Sequence, residues 1–219
     1  MDQKVQFHKL IYTISVFTVV YFCGIFISDS EAESRIKMEN KIYLVPIGSV
    51  ESSVLKILDT ELEKTFNCRV ERYEKMPLPQ DAFNPRRNQY FCPHILNTLR
   101  SFMELDHEEE KVLGIADVDL YVHGLNFVFG QAELGGYFAV ISLSRLRQSY
   151  YGLLEDKKIF KERAIKEAVH ELGHVFGLEH CPDSACVMYF SNSLDDTDRK
   201  GASFCPRCKE ILKKMTRRE

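Results

Sequence analysis

Apolar positions change their spacing along the chain, and the changes predict its elements. Residues 42–47 form a nearly continuous apolar run, the pattern of a buried strand. Residues 52–66 then carry Val54, Leu55, Ile57, Leu58 and Leu62 at helical spacing. A strand followed by such a helix opens an α/β fold. Residues 70–73 predict a second strand, residues 77–87 a loop, and residues 90–102 a helix with Pro93 near its start. Further strands are expected at 112–116, 118–122, 127–129 and 138–142, the last two around a Gly135-Gly136 turn. A long helix over residues 160–178 follows, with Ile165, Ala168, Val169, Leu172 and Phe176 available for its buried side.

With 219 residues, 45% of them hydrophobic, the chain holds one sizeable core and no second large domain. The organisation expected is a catalytic domain at 38–219 behind an N-terminal appendage at 1–37. Residues 10–27 of that appendage are almost all apolar, with Lys4 and Lys9 before them and Asp29, Glu31 and Glu33 after. This is a membrane-targeting profile, compatible with an uncleaved signal anchor and with a cleaved signal peptide. Either way the lysines stay inside, and the following domain is membrane-anchored or exported. Translation from Met38 is a third reading, which leaves the domain in the cytoplasm. A net charge of −3 with mixed signs excludes the broad basic face that nucleic acid requires. Lys209, Lys213, Lys214, Arg217 and Arg218 read as the solvated face of a last helix, and residues 108–110 as a solvated acidic turn.

The long helix ends in His170-Glu171-Leu172-Gly173-His174-Val175-Phe176-Gly177-Leu178-Glu179-His180. His170 and His174 lie one turn apart on one helix face, so both imidazoles reach a single ion. Gly177 can take the left-handed conformation that ends a helix and returns the chain, delivering His180 as a third ligand. Three histidines leave a fourth position for water, the arrangement of a catalytic zinc, whereas structural zinc is closed by four protein ligands. Zinc lowers the pKa of its water to about 7 and polarises a carbonyl. Glu171, beside the first ligand, is placed to take the water proton and pass it to a leaving amine. The Glu, the Gly and the third His at these offsets, followed by Met188, form the metzincin signature. In a tight turn the Met188 thioether would floor the zinc ligands.

Cys181, Cys186, Cys205 and Cys208 crowd the far end of this motif. Two short pairs separated by a loop fit a closed tetrahedral thiolate site, hence a second, structural zinc. Disulfides, or a redox dithiol at Cys205-Pro206-Arg207-Cys208, are the competing readings, though no βαβ unit surrounds that pair. Cys68 and Cys92 are either a disulfide or two buried thiols.

From His170 through Cys181, Cys186, Met188, Cys205 and Cys208 the sequence closely resembles the archaemetzincins, or archaelysins. The likeness extends to Lys41-Ile42-Tyr43-Leu44-Val45-Pro46-Ile47-Gly48 and to Leu125-Asn126-Phe127-Val128-Phe129-Gly130, so it covers the chain from about Met38 onward. The resemblance implies a compact metzincin-like α/β (α+β) domain with a mixed twisted sheet, an active-site helix and a C-terminal Met-turn and cysteine-zinc subdomain. It further implies a catalytic zinc on His170, His174 and His180, Glu171 as base, and a structural zinc on the four cysteines. The segment between Met188 and Cys205 is about one residue shorter than the family pattern, an indel that a loop absorbs. Other metzincin groups place a ligating tyrosine two residues beyond the Met; here Phe190 stands there, and Tyr189 is not carried over.

The expected activity is therefore zinc-dependent hydrolysis of peptides or proteins by a monomer, with endopeptidase and aminopeptidase action both open. A strand near Phe127 or Phe138 is expected to edge the cleft and pair with an extended substrate. His123 reads as an ordinary loop histidine outside the site. A non-catalytic zinc protein that binds a peptide or protein partner in a blocked cleft is the alternative.

Overall fold

The computed structural model describes residues 40–105 and 109–216. The apolar run at 10–27 lies outside them, and among the described residues no helix is long and apolar enough to cross a membrane. Strand β1 (Lys41–Ile47) leads into helix α1 (Ser52–Phe66), which ends at Asn67 in the left-handed conformation and hands the chain to β2 (Arg69–Arg72). Helix α2 (Cys92–Phe102) precedes β5 (Glu110–Ala116); β7 (Gly130–Ala132) and β8 (Phe138–Ser142) form a hairpin; α3 (Lys157–Val175), α4 (Leu194–Arg199) and α5 (Pro206–Thr216) complete the order. A small second sheet joins β3 (Phe83–Asn84), β4 (Gln89–Phe91) and β6 (Leu120–Tyr121).

The main sheet runs β2-β1-β5-β8-β7, parallel except for the antiparallel edge strand β7. Parallel strands covered on both faces read as continuous apolar runs, which is why β5 and β8 are buried at every position. Alternate residues serve opposite layers. Leu113, Ile115, Ala139 and Ile141 face α1 and α3, while Val112, Phe138 and Val140 face α2. Asp156 starts α3 by accepting backbone N–H bonds from Lys158 (2.8 Å) and Ile159 (3.0 Å).

Several sequence expectations shift. The predicted helix at 90–102 begins at Cys92, because Tyr90 and Phe91 pair with Leu120 and Tyr121. The loop at 77–87 contains β3 and a short 3-10 turn. Residues 127–129 are not a strand of the sheet; Val128 only bridges Leu120, and the edge strand starts at Gly130. The helix predicted to Leu178 stops at Val175. Glu110, expected in a solvated turn, is buried at the start of β5, where it accepts a 3.1 Å hydrogen bond from the Tyr43 hydroxyl. A triple-glutamate run signals solvent only while no neighbouring strand supplies a donor.

Gly114 marks the tightest point of the sheet. A Cβ there would lie 2.7 Å from Ile47 Cδ1, 2.9 Å from Leu99 Cδ2 and 3.1 Å from Val140 Cγ2. Gly114→Ala is therefore expected to destabilise the fold by about 1–3 kcal/mol through overpacking, to be read from chemical denaturation midpoints.

Candidate metal centre and catalytic cleft

Helix α3 places His170 and His174 on one face with their Nε2 atoms 3.2 Å apart. Two nitrogens bound at about 2.0–2.1 Å to one tetrahedral ion stand ~3.3 Å apart, so the pair has ligand spacing. Each ring is oriented from behind: Nδ1 of His170 lies 2.8 Å from the Val187 carbonyl, and Nδ1 of His174 lies 2.7 Å from that of Leu178. A carbonyl only accepts, so both Nδ1 atoms carry the proton and both Nε2 lone pairs face the site. Burial, helped by the Lys200 ammonium, holds the His170 imidazole well below its usual pKa; burial also lowers His174 and His180. All three are thus held neutral, the ligating form.

His180 arrives through the turn that ends α3. Gly177 (φ 91°) donates to the His174 carbonyl (2.8 Å) and Leu178 to that of Gly173 (2.9 Å), a Schellman closure. The three imidazoles then converge, with their ligand atoms within 4.8 Å of one another. Met188 is fully buried against α3, and Gly173 makes room for it: a Cβ there would stand 2.4 Å from the Met188 sulfur. Glu171 is buried and lines the same cleft, of about 860 Å³, as the three histidines. Burial raises its carboxyl to about 8, with Glu167 adding to the shift and Lys200 opposing it; a bound cation would pull it down again.

The four cysteines converge as well. Cys181, Cys186, Cys205 and Cys208 bring their sulfurs within 4.8 Å of one another, and all are free thiols. Cys181 and Cys205 sulfurs are 3.8 Å apart, matching the ~3.8 Å between two thiolates each about 2.3 Å from a tetrahedral zinc. The Cys205 N–H also points at the Cys186 sulfur (3.3 Å). Cys68 and Cys92 are free thiols too, pushed up by burial, Cys68 to about 12.

The sequence model of Peptidase family M54 matches residues 26–214. The chain belongs to the archaemetzincin family, and it is a zinc metallopeptidase. It is 46% identical to the archaemetzincin of Pyrococcus furiosus over 186 residues, covering 83% of this chain and 95% of that protein. The crystal structure of archaemetzincin from Methanopyrus kandleri superposes with a TM-score of 0.72 at 40% identity, over 82% of this chain and 97% of that one. A zinc-dependent peptidase from Methanocorpusculum labreanum gives a TM-score of 0.72 at 33% identity, covering 78% of this chain and 99% of that one. The family match opens at residue 26, upstream of the Met38 boundary expected from the resemblance.

In this archaemetzincin His170, His174 and His180 come together, Glu171 lines the same cleft, Cys181, Cys186, Cys205 and Cys208 form a second cluster, and His123 lies apart from both. His123 is exposed beside Phe91, their ring centroids 4.6 Å apart, in a separate surface depression. Three features escaped the sequence reading. Gly130, at the start of edge strand β7, faces Glu171, whose Cγ and Oε1 would each be 2.7 Å from a Cβ at that position. Phe190 packs its ring 4.8 Å from that of His180. Behind His170, Lys200 reaches Glu167 at 3.1 Å, both side chains buried. The signal for this pair was Glu167 itself, three residues before His170 on the same helix face, whereas Lys200 stands in the segment between Met188 and Cys205, which reads only as a loop.

Gly173→Ala would force Met188 and its turn away from α3. The expected result is a loss of about 1–3 kcal/mol, or roughly 2–10 °C in the thermal unfolding midpoint, measurable by circular dichroism.

Proposed function

We propose that this archaemetzincin hydrolyses peptide bonds at a zinc held by His170, His174 and His180, with Glu171 as general base. The observation that carries the reading is the pair of Nε2 atoms at ligand spacing, each ring oriented through Nδ1 by a backbone carbonyl. Bound there, zinc supplies an acidified water and polarises the scissile carbonyl. Glu171 takes the proton of the attacking water and delivers it to the departing amine. Strand β7 ends the sheet, and its residues line the cleft beside Glu171, so an extended peptide adds to it as a further strand. That edge is Gly130–Ala132, directly after the Phe127 segment; β8, with Phe138, is interior. An open cleft with His180 exposed favours turnover over a blocked, non-catalytic partner-binding site.

The same proposal assigns Cys181, Cys186, Cys205 and Cys208 a second, structural zinc. It keeps residues 38–219 as a monomeric catalytic domain and residues 1–37 as a membrane-targeting lead, decided by intact mass and membrane fractionation of the mature protein.

Glu171→Gln in the purified full chain is expected to retain its metal and lose about 10²–10⁴-fold in kcat. Unchanged kcat would remove Glu171 from the mechanism. Gly130→Ala, which displaces the same carboxylate without touching it chemically, should lower kcat/KM by up to about a hundredfold. For the cysteine centre, chelation should release two equivalents of zinc per chain and expose four additional titratable thiols. Thiols that appear only after a reductant would instead mean disulfides.

A further inference from the structure

Helix α4 is sewn to α3 by polar contacts. Arg163 holds Asp198 through two 2.7 Å bonds, and the Lys166 ammonium caps the α4 carbonyls of Thr197 (2.9 Å) and Asp198 (3.0 Å). The seam delivers Lys200 to the back of the metal centre, fully buried, 3.1 Å from Glu167 Oε1 and 3.5 Å from His170 Nδ1. The Thr197 hydroxyl donates to the same Glu167 oxygen at 3.1 Å.

Stability alone is a poor account of this pair. Stripping two charges of water costs much of what their attraction returns, and apolar residues of like volume often serve a fold as well or better. Location offers a better account. Glu167 stands three residues before His170 and four before Glu171, so the three side chains share one helix face, and Glu167 lines the cleft with them. A carboxylate is a good zinc ligand. One turn from the first histidine, and free to swing, it would fill the place that water needs and turn an open site into a closed one.

We propose that Lys200, assisted by Thr197, is a positioning residue that holds the Glu167 carboxylate back from the metal and so keeps the fourth coordination place open. The proposal rests on the three-histidine zinc reading above. It treats Glu167 as a ligand that the fold restrains, and Lys200 as the restraint.

The test uses the purified full chain, with zinc for kinetics and with cobalt(II) in its place for visible spectra. Lys200→Met should lower kcat at least about tenfold with KM within about twofold, and should not speed loss of metal to a chelator. Its cobalt spectrum should differ from wild type and no longer respond to azide, because the place azide enters is taken. Adding Glu167→Gln to Lys200→Met should restore the azide response and bring kcat back to within about threefold of wild type, since a neutral amide competes poorly for the metal. Plain structural damage would not be reversed by a second substitution at Glu167.

Wild-type kcat and azide response in Lys200→Met would overturn the proposal, as would a double variant that stays as impaired as the single. Where Lys200→Met does not fold, Thr197→Val takes its place: it should lose about twofold to threefold in kcat, regained on adding Glu167→Gln. Equal kcat in those two variants would overturn it. Wild-type protein that neither binds cobalt at the histidines nor cleaves peptides would overturn the underlying site reading instead.

Discussion

Two backbone carbonyls decide how the histidine cluster is built. Imidazoles one turn apart on a helix can rotate freely about χ2, and nothing in the helix aims their lone pairs. The carbonyls of Val187 and Leu178 do so by accepting the Nδ1 protons of His170 and His174. Both carbonyls belong to chain that follows α3, so the helix aims its imidazoles only once the turns after it have formed. The cysteine cluster lies on those same turns: Cys181 adjoins His180, and Cys186 adjoins Val187. Drawing four sulfurs together therefore also fixes the third histidine and the carbonyl behind the first, linking the cysteine cluster to the histidine cluster.

Close approach is the second constraint, and glycine supplies it. Gly173 lets the Met188 sulfur lie against the helix beside the His170–His174 face, and Gly130 lets the edge strand approach the Glu171 carboxylate. Gly177 combines a left-handed backbone with contact from α5, where Met215 would meet any Cβ at 2.8 Å. Each missing side chain lets a second segment pack against α3 or the turn that ends it. The precision of the site thus comes from what is packed around α3 as much as from α3 itself.

Electrostatics follow from the same packing. Burial keeps the histidines neutral and pushes Glu171 upward, while the Lys200–Glu167 pair sits within the influence of both. The polar stripe of α3, from Arg163 through Lys166 and Glu167 to His170, faces α4, a helix of six residues with a Ser193/Asp196 capping box. Its sequence, Leu194-Asp195-Asp196-Thr197-Asp198-Arg199, has no apolar periodicity and reads as loop, because its docking is made by ion pairs and carbonyl caps.

Helix α1, strands β1, β5 and β8, and the order of ligands in the metal motif could be read from residue spacing, because periodicity and covalent offsets are local properties. Histidines four apart share a helix face in any fold, and a glycine three residues later can always reverse the chain. Which strand borders the cleft was not local. Residues 127–129 are as apolar as a strand should be, yet Gly130–Ala132 pairs with β8, since pairing depends on where the neighbouring strand ends. Likewise Glu110 and Lys200 carry charges that imply solvent until their partners are known, and those partners are 67 residues away for Glu110 and 33 for Lys200. Chemistry was thus written in the order of residues, whereas its electrostatic setting and the wall of the cleft arose only when distant segments closed on one another.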